Sequence, residues 1–564
     1  AYASAGHRTC NGSLVATHIA PKPQRSSRST PSAPPTPPAS RTRLLELARE
    51  RFGVEHFRPG QRELIETVLG GADALGILAT GAGKSLTYQL PALLLPSPVL
   101  VVSPLISLMQ DQNDKLAELD ISSAKLNSTL GARDEREVLE QVRENAHELI
   151  YITPERLENP EYLALLRPLG IALFVVDEAH CVSSWGHDFR PAYLALRDAR
   201  RELGNPPLLA LTATATPEMV GDILKQLGSE DARIVSTGVE RTNLSLEVLR
   251  APRAGQKREQ LLALLEEEQG TGIVYVATVK KAIELHSWLL SKNITAGLYH
   301  GKLRPKERED AQHRFMAGEV HVMVATNAFG LGIDKQDLRF VVHFNFPDSL
   351  ETYYQEAGRA GRDGEPARAV LLYRLEDKRL QSYFLGGKYP RRDESMRVLE
   401  QLHALSKNER GKQAVKLTAL ALATEITERH TKVIVAQLES AGIVQRERGK
   451  VIPLREVQSE AELDGLLTEY ETKRKTDRER LELMMRYAQS ARCRTQYLAQ
   501  YFGEEASDHC LHCDNCKART APAPAPAAVT AEAVEKAALE REKLERLVAS
   551  AVGHVTPDQV VPAP

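Results

Sequence analysis

A chain of 564 residues, 42% of them hydrophobic and 26% charged, is too long to fold around one core, so three or four domains are expected. The formal net charge of -2 is a sum over charges that are unevenly distributed along the chain. No window approaches the ~18 uninterrupted apolar residues of a membrane span, which predicts a soluble chain without a membrane partner.

Residues 1–40 are rich in Ser, Pro, Ala and Arg and contain no acidic residue. This composition cannot bury a core, and we expect a disordered tail. A basic, Ser-rich start is typical of an organelle transit peptide, and a solvated tail is the alternative. The expected location is intracellular: the cytoplasm or nucleoid, or the nucleus or an organelle in a eukaryote.

An apolar run at residues 76–79 breaks into a Gly-rich turn that leads into a helix-compatible segment. Gly81 and Gly83 let backbone N–H groups approach phosphate oxygens. Lys84 supplies a fixed positive charge, and the Ser85 hydroxyl can ligate Mg²⁺. The turn has the short TGxGKS form used by helicases. The predicted nucleotide-binding residues of this turn are Thr80, Gly81, Ala82, Gly83, Lys84 and Ser85.

A second apolar run, residues 171–176, predicts a strand buried on both faces and ends in Asp177 and Glu178. Open α/β sheets place ligand chemistry at the carboxyl ends of such strands. Asp177 can therefore hold the hydration shell of Mg²⁺, and Glu178 can take a proton from an attacking water.

A second unit begins near Arg241, with strands predicted at 272–277, 297–301 and 320–325 and a helix at 280–290. This alternation implies a parallel sheet. Arg359 and Arg362 lie between glycines in this unit, where they can reach across to a phosphate, and Arg362 is the better arginine-finger candidate.

From about residue 44 to 373 the chain resembles the RecQ family of superfamily 2 DNA helicases. The family's first motif, FGYxxFRPGQ, is similar to residues 52–61, with Val54 where the family has a base-stacking tyrosine. The resemblance implies that Arg58 and Gln61 contact adenine and that ATP is bound between two RecA-like domains.

The resemblance also implies single-stranded DNA contacts. Residues 103–112 and 151–157 look like the family's backbone-holding loops, and residues 181–193 resemble its aromatic-rich loop, whose flat side chains suit bases. The DNA-binding and coupling residues expected from the motifs are Trp185, His187, Phe189, Arg190, Thr214 and Asn327.

Beyond residue 375 a helix is expected at 427–440 and a hairpin at 443–454, with a basic tip at 448–450. This pattern resembles a winged helix, here placed before or within the zinc unit. A duplex-DNA contact and a protein-contacting wing are the two interpretations of its basic tip.

Four cysteines in one short segment indicate a metal site rather than disulfides: Cys493, Cys510, Cys513 and Cys516. The spacing suits a structural Zn²⁺ ion, with His509 or His512 as a substitute ligand and an iron-sulfur cluster as the alternative.

The predicted fold class is α/β, with two RecA-like doubly wound parallel-sheet domains followed by a winged-helix-like insert and a helical zinc-binding subdomain. The predicted segments are a tail (1–40), the ATP-binding domain (41–240), the second RecA-like domain (241–375), the insert with a helical linker (376–480), the zinc subdomain (481–517), and an Ala/Pro linker with a charged helical tail (518–564).

These features predict an ATP-dependent DNA helicase with ATP, Mg²⁺ and Zn²⁺ as cofactors. The resemblance implies 3′→5′ movement on single-stranded DNA and the opening of duplex or forked DNA in repair or recombination, with single-strand-binding or repair proteins as partners. The alternatives are a DNA-binding or strand-annealing ATPase with little unwinding, and an RNA helicase.

Overall fold

The computed structural model of the chain describes residues 41–520 apart from 105, 128–131, 145, 184–189, 254, 331–334, 387–390, 409–410, 413, 448–449, 456–459 and 506–507. Within that part no helix is long and apolar enough to cross a bilayer.

The first lobe, residues 41–240, is built on short apolar strands that are mostly buried on both faces because helices cover both sides of the sheet. The strands are β1 (Ala74–Ile77), β2 (Val99–Val102), β3 (Ser123–Leu126), β4 (Leu149–Ile152), β5 (Leu173–Val176), β6 (Leu208–Thr212) and β7 (Arg233–Ser236). The described strands pair in the order β3-β4-β2-β5-β6-β1-β7, and every pairing is parallel.

The helices of this lobe follow the strands as crossovers or precede the sheet. They are α1 (Arg41–Phe52), α2 (Gln61–Leu69), α3 (Leu86–Ala92), α4 (Ile106–Glu118), α5 (Ala132–Arg143), α6 (Pro154–Leu157), α7 (Pro160–Leu166), α8 (Leu196–Glu202) and α9 (Pro217–Leu227).

The second lobe, residues 241–375, repeats this plan. Its strands are β8 (Leu244–Arg250), β9 (Thr271–Tyr275), β10 (Ala296–Tyr299), β11 (Val322–Ala325), β12 (Leu338–His343) and β13 (Ala367–Tyr373). As far as the structure describes them, they form a parallel sheet in the order β10-β11-β9-β12-β13-β8. The helices are α10 (Gln256–Glu267), α11 (Val279–Ser291), α12 (Pro305–Met316) and α13 (Leu350–Ala357), and α14 (Asp377–Gly386) follows the last strand.

The insert has its own hydrophobic core, which includes Val398, Leu420 and Ile434. Its helices are α15 (Arg392–Ser406), α16 (Leu417–Thr424) and α17 (Glu428–Ser440), and its strands are β14 (Lys407–Asn408), β15 (Gly411–Lys412), β16 (Val415–Lys416), β17 (Val444–Glu447) and β18 (Lys450–Pro453). Strand β18 pairs antiparallel with β16 and β17, which gives the helices and hairpin of a winged helix. Of the predicted hairpin tip, residues 448–449 lie outside the described residues, and Lys450 begins β18.

The cysteine-bearing subdomain consists of α18 (Glu460–Gln489), α19 (Arg494–Tyr501) and α20 (Asp514–Thr520). Helix α18 is continuous across the boundary expected at 480/481, so the two predicted segments share one helix. Its buried residues join the core of the second lobe, where the Tyr487 hydroxyl donates to the Tyr353 hydroxyl oxygen at 3.2 Å.

Candidate active site

The Gly-rich turn between β1 and α3 adopts a backbone that only glycine fits. Gly81 and Gly83 have φ angles of +84° and +74°, in the left-handed region. A Cβ on Gly83 would lie 2.5 Å from the Gln61 side-chain nitrogen, and one on Gly81 would lie 2.7 Å from Cγ of Arg362. The turn is therefore packed closely between a first-lobe helix and an arginine of the second lobe.

Lys84 is the cation of this turn. Its Nζ donates to the Leu78 carbonyl oxygen at 3.2 Å. Burial lowers the pKa of Lys84, and the charges of Glu178 and Asp177 oppose that shift. A buried ammonium beside backbone N–H groups is the arrangement that recognises a phosphate anion.

Asp177 and Glu178 follow β5, at the same edge of the sheet as the turn after β1. Burial and, after it, the negative charge of Glu178 raise the pKa of Asp177 to about 7. The positive charge of Lys84 opposes this shift. A divalent cation beside such a carboxylate favours its charged form, so the chemistry of this donor suits Mg²⁺.

A chain of contacts runs from this acid pair to the segment after β6. His180 Nδ1 lies 3.3 Å from Glu178 Oε2 and 3.1 Å from Thr212 Oγ1. The Thr212 hydroxyl donates to the Thr214 carbonyl oxygen at 3.0 Å, so it accepts from His180. We expected a coupling role for Thr214; in this network Thr212 contributes the side chain and Thr214 contributes backbone groups.

Arg359 and Arg362 follow α13 of the second lobe and face the first lobe. Arg359 is only 4% exposed, and Arg362 packs against Gly81. The two arginines line the same cleft of about 500 Å³ as Lys84, Asp177 and Glu178. The structure thus brings together the five residues predicted to be catalytic.

Arg58 and Gln61 also line this cleft. The Gln61 amide donates to the carbonyl oxygens of Ala82 at 3.0 Å and Gly83 at 2.9 Å, and the Arg58 guanidinium donates to the Gly81 carbonyl oxygen. Both side chains brace the phosphate turn here. Their contact with adenine stays a prediction, and Val54 lies in the same wall of the cleft.

Arg241 joins the lobes, although no sequence motif marks it. Its guanidinium donates to the Thr80 carbonyl oxygen at 3.4 Å and to the Gly361 carbonyl oxygen at 2.6 Å. Burial lowers its pKa, since the side chain spans the junction. Its sequence signal is weak: a lone arginine near the start of the second unit.

The expected DNA-contacting residues are only partly described. Trp185, His187 and Phe189 lie outside the described residues. Arg190 donates to the Pro104 carbonyl oxygen at 3.1 Å, which joins the loop after β5 to the loop after β2. Asn327 is exposed on the turn after β11, at the carboxyl edge of the second sheet.

The four predicted metal-ligating cysteines come together. Their sulfur atoms all lie within 4.8 Å of one another, and thiolates bound to one zinc ion lie roughly 3.8 Å apart. The Cys513 N–H donates to Cys510 Sγ at 3.3 Å and the Cys510 N–H to Cys493 Sγ at 3.4 Å, as suits thiolate acceptors. His512 Nδ1 instead contacts the Cys510 carbonyl oxygen. The set fits a structural Zn²⁺ ion.

Lobes of this topology that share one phosphate-binding cleft belong to the class of ATP-driven helicase motors, and the comparisons with known proteins agree. Residues 58–223 match the DEAD/DEAH box helicase family, residues 256–364 the helicase conserved C-terminal domain, and residues 455–517 the RecQ zinc-binding family. The chain belongs to the RecQ family of ATP-dependent DNA helicases.

Two relatives from Bacillus subtilis (strain 168) give the extent of this kinship. The chain is 43% identical over 346 residues to the "Probable ATP-dependent DNA helicase RecS", a match that covers 61% of this chain and 69% of the relative. It is 36% identical over 469 residues to the "ATP-dependent DNA helicase RecQ", which covers 82% of this chain and 65% of the relative. The chain thus spans about two thirds of the length of each.

One solved structure, of the DUF1998 helicase MrfA bound to DNA, aligns with a TM-score of 0.50 at 18% identity. The alignment covers 75% of this chain and 60% of MrfA. At that identity the likeness supports the fold alone.

Proposed function

We propose that this protein hydrolyses ATP to move 3′→5′ along single-stranded DNA and to separate duplex or forked DNA. The observation that carries the ATP-driven part of this proposal is the shared cleft, where Lys84 and Asp177 of one lobe face Arg362 of the other. The 3′→5′ direction is what the resemblance to the RecQ family implies. A nucleotide held by both sides would favour the closed arrangement of the lobes, and its loss would release them.

The residues divide the chemistry between them. Lys84 and the N–H groups of the phosphate turn hold the phosphates, and Asp177 with Ser85 would hold Mg²⁺, which neutralises phosphate charge when bound. Glu178 accepts the proton of the attacking water. Arg359 and Arg362 stabilise the charge that develops on the transferred phosphoryl group.

The contact chain from Glu178 through His180 to Thr212 supports coupling between hydrolysis and DNA grip. Rearrangement at the acid pair would shift the segment after β6. Arg190 donates to the Pro104 carbonyl oxygen, so the end of the loop expected to contact bases and the loop after β2 expected to hold the DNA backbone would move together.

The winged helix suggests a second DNA contact. Its helix α17 and its hairpin belong to one small core, as in modules that lay a helix along duplex DNA. We infer a role on forked substrates in repair or recombination, together with single-strand-binding or repair proteins.

Strand separation on tailed duplexes tests the proposal. Wild-type protein with ATP should open a duplex with a 3′ single-stranded tail and should leave a 5′-tailed duplex and an RNA duplex closed. Lys84→Ala should lose activity by roughly 100-fold or more, since a charged donor to the phosphates is gone, whereas exposed Lys302→Ala should match the wild type. Equal unwinding by Lys84→Ala and wild type would refute the motor assignment.

Annealing without unwinding would instead support the strand-annealing alternative, and opening of the RNA duplex would support the RNA helicase alternative.

A further inference from the structure

The peptide that connects the two lobes, between β7 and β8, is held by groups from outside the first lobe. The Val239 N–H donates to Glu504 Oε2 at 2.8 Å, and the Ser236 hydroxyl donates to Glu504 Oε1 at 3.2 Å. The Val239 carbonyl oxygen accepts from the Tyr354 hydroxyl at 2.9 Å. One carboxylate and one phenol therefore bind both polar backbone groups of Val239.

The backbone on each side of this contact is shaped to permit it. Gly238 has a φ of +77°, and a Cβ there would lie 3.3 Å from Glu504 Oε2. Gly503 has a φ of +75°, and a Cβ there would lie 2.4 Å from Cγ of Pro217, the first residue of α9. The segment Gly503–Glu504 thus touches the interlobe peptide and the first lobe together.

The same segment is anchored on the helix that leads to the arginines. The Tyr501 hydroxyl donates to Glu351 Oε1 at 2.7 Å, and the rings of Phe502 and Tyr354 lie 5.6 Å apart. Glu351 and Tyr354 both belong to α13, which ends just before Arg359. The end of α19 therefore contacts three parts that must keep their relation when the cleft closes: α13, the interlobe peptide and the start of α9.

We propose that Glu504 is a positioning residue that sets the geometry of the interlobe hinge. It touches neither the nucleotide cleft nor the cysteine cluster. Its carboxylate fixes the conformation of residues 236–239, the peptide about which the lobes must rotate, and so holds the arginines in register with the phosphate turn. This inference rests on the proposed function, because an interlobe hinge matters only if the cleft closes on ATP.

The effect on the hinge can be measured without any activity. In Glu504→Ala, hydrogen exchange of the Val239 amide should accelerate by roughly tenfold, since a hydrogen bond to a charged acceptor is lost. Glu504→Gln should restore most of the protection, because its amide can accept from Val239 and donate to the Ser236 hydroxyl. Exposed Glu505→Ala is the matched control.

The effect on the reaction should appear in kcat more than in KM, because the arginines act on the transition state. Glu504→Ala should keep one zinc ion per chain and lower kcat for DNA-stimulated ATP hydrolysis by roughly fivefold or more, with KM for ATP changed much less. Glu504→Gln should return kcat toward the wild-type value.

Unchanged Val239 exchange in Glu504→Ala, or faster exchange with an unchanged kcat in an active enzyme, would overturn the proposal. A wild-type protein without ATP hydrolysis would refute the proposed function instead, while the exchange result would still report on the hinge contact.

Discussion

Gly81→Ala should lower the rate of ATP hydrolysis, because it displaces Arg362 of the second lobe. The backbone φ of +84° costs an L-residue roughly 1–2 kcal/mol. The new Cβ would lie 2.7 Å from Cγ of Arg362, whereas carbon atoms in contact lie roughly 3.5–4.0 Å apart, so Arg362 must move by roughly 1 Å. Because a misplacement of that size can cost about 100-fold in rate, we expect kcat for DNA-stimulated ATP hydrolysis to fall by about that factor.

Gly71→Ala is the matched control for backbone strain. Gly71 has a φ of +80°, and nothing lies within 4 Å of the added Cβ. The Gly71→Ala variant should therefore lose similar stability and keep the wild-type kcat. A double-mutant cycle separates displacement of Arg362 from direct obstruction of the phosphates. In an Arg362→Ala background, Gly81→Ala should cost little further. Additive losses in kcat would refute the reasoning.

Three further changes probe other contacts. Tyr501→Phe leaves the fully buried Glu351 carboxylate without its hydroxyl donor and should lower the unfolding free energy by about 2 kcal/mol in urea. Cys513→Ser should lose bound zinc by elemental analysis and destabilise the chain, because a structural zinc site contributes folding free energy. Arg339 holds the pKa of Asp363 below its ordinary value of 3.8, so the stability difference between wild type and Asp363→Asn should persist above that pH and disappear as the pH falls through the lowered pKa.

Controls for these changes lie in the same chain. Tyr497→Phe removes a hydroxyl whose bond to the Leu483 carbonyl oxygen is 3.4 Å long, and it should cost much less than Tyr501→Phe. Cys181→Ser alters a buried cysteine outside the cluster and should keep one zinc ion per chain. Equal losses within either pair, or a stability difference for Asp363→Asn that survives at low pH, would contradict these interpretations.

The sequence was sufficient to predict those parts of the site whose residues lie close together in the chain. The phosphate turn could be predicted because Gly81, Gly83 and Lys84 act within a few residues. The acid pair could be placed because an apolar run predicts the strand before Asp177. The cysteine cluster followed from short spacings in the same way. These local patterns fix which side chains share an edge or a loop.

Contacts between distant parts of the chain could not be predicted in this way. Glu504 meets Val239 across 265 positions, and no local pattern marks either residue. Arg241 donates to three backbone carbonyl oxygens, and any residue can supply such an acceptor. The single helix α18 also crosses an expected boundary, because the apolar residues that pack on the second lobe and the charged residues before them share one continuous helical segment.

ATP hydrolysis by the double variant Arg359→Ala/Arg362→Ala tests the central claim most directly, namely that both lobes act on one nucleotide. Binding of a non-hydrolysable ATP analogue should survive, because Lys84 and the phosphate turn are intact, while DNA-stimulated kcat should fall by roughly 1,000-fold or more. Hydrolysis within about twofold of the wild-type rate would contradict the account, since the second lobe would then contribute nothing to the reaction.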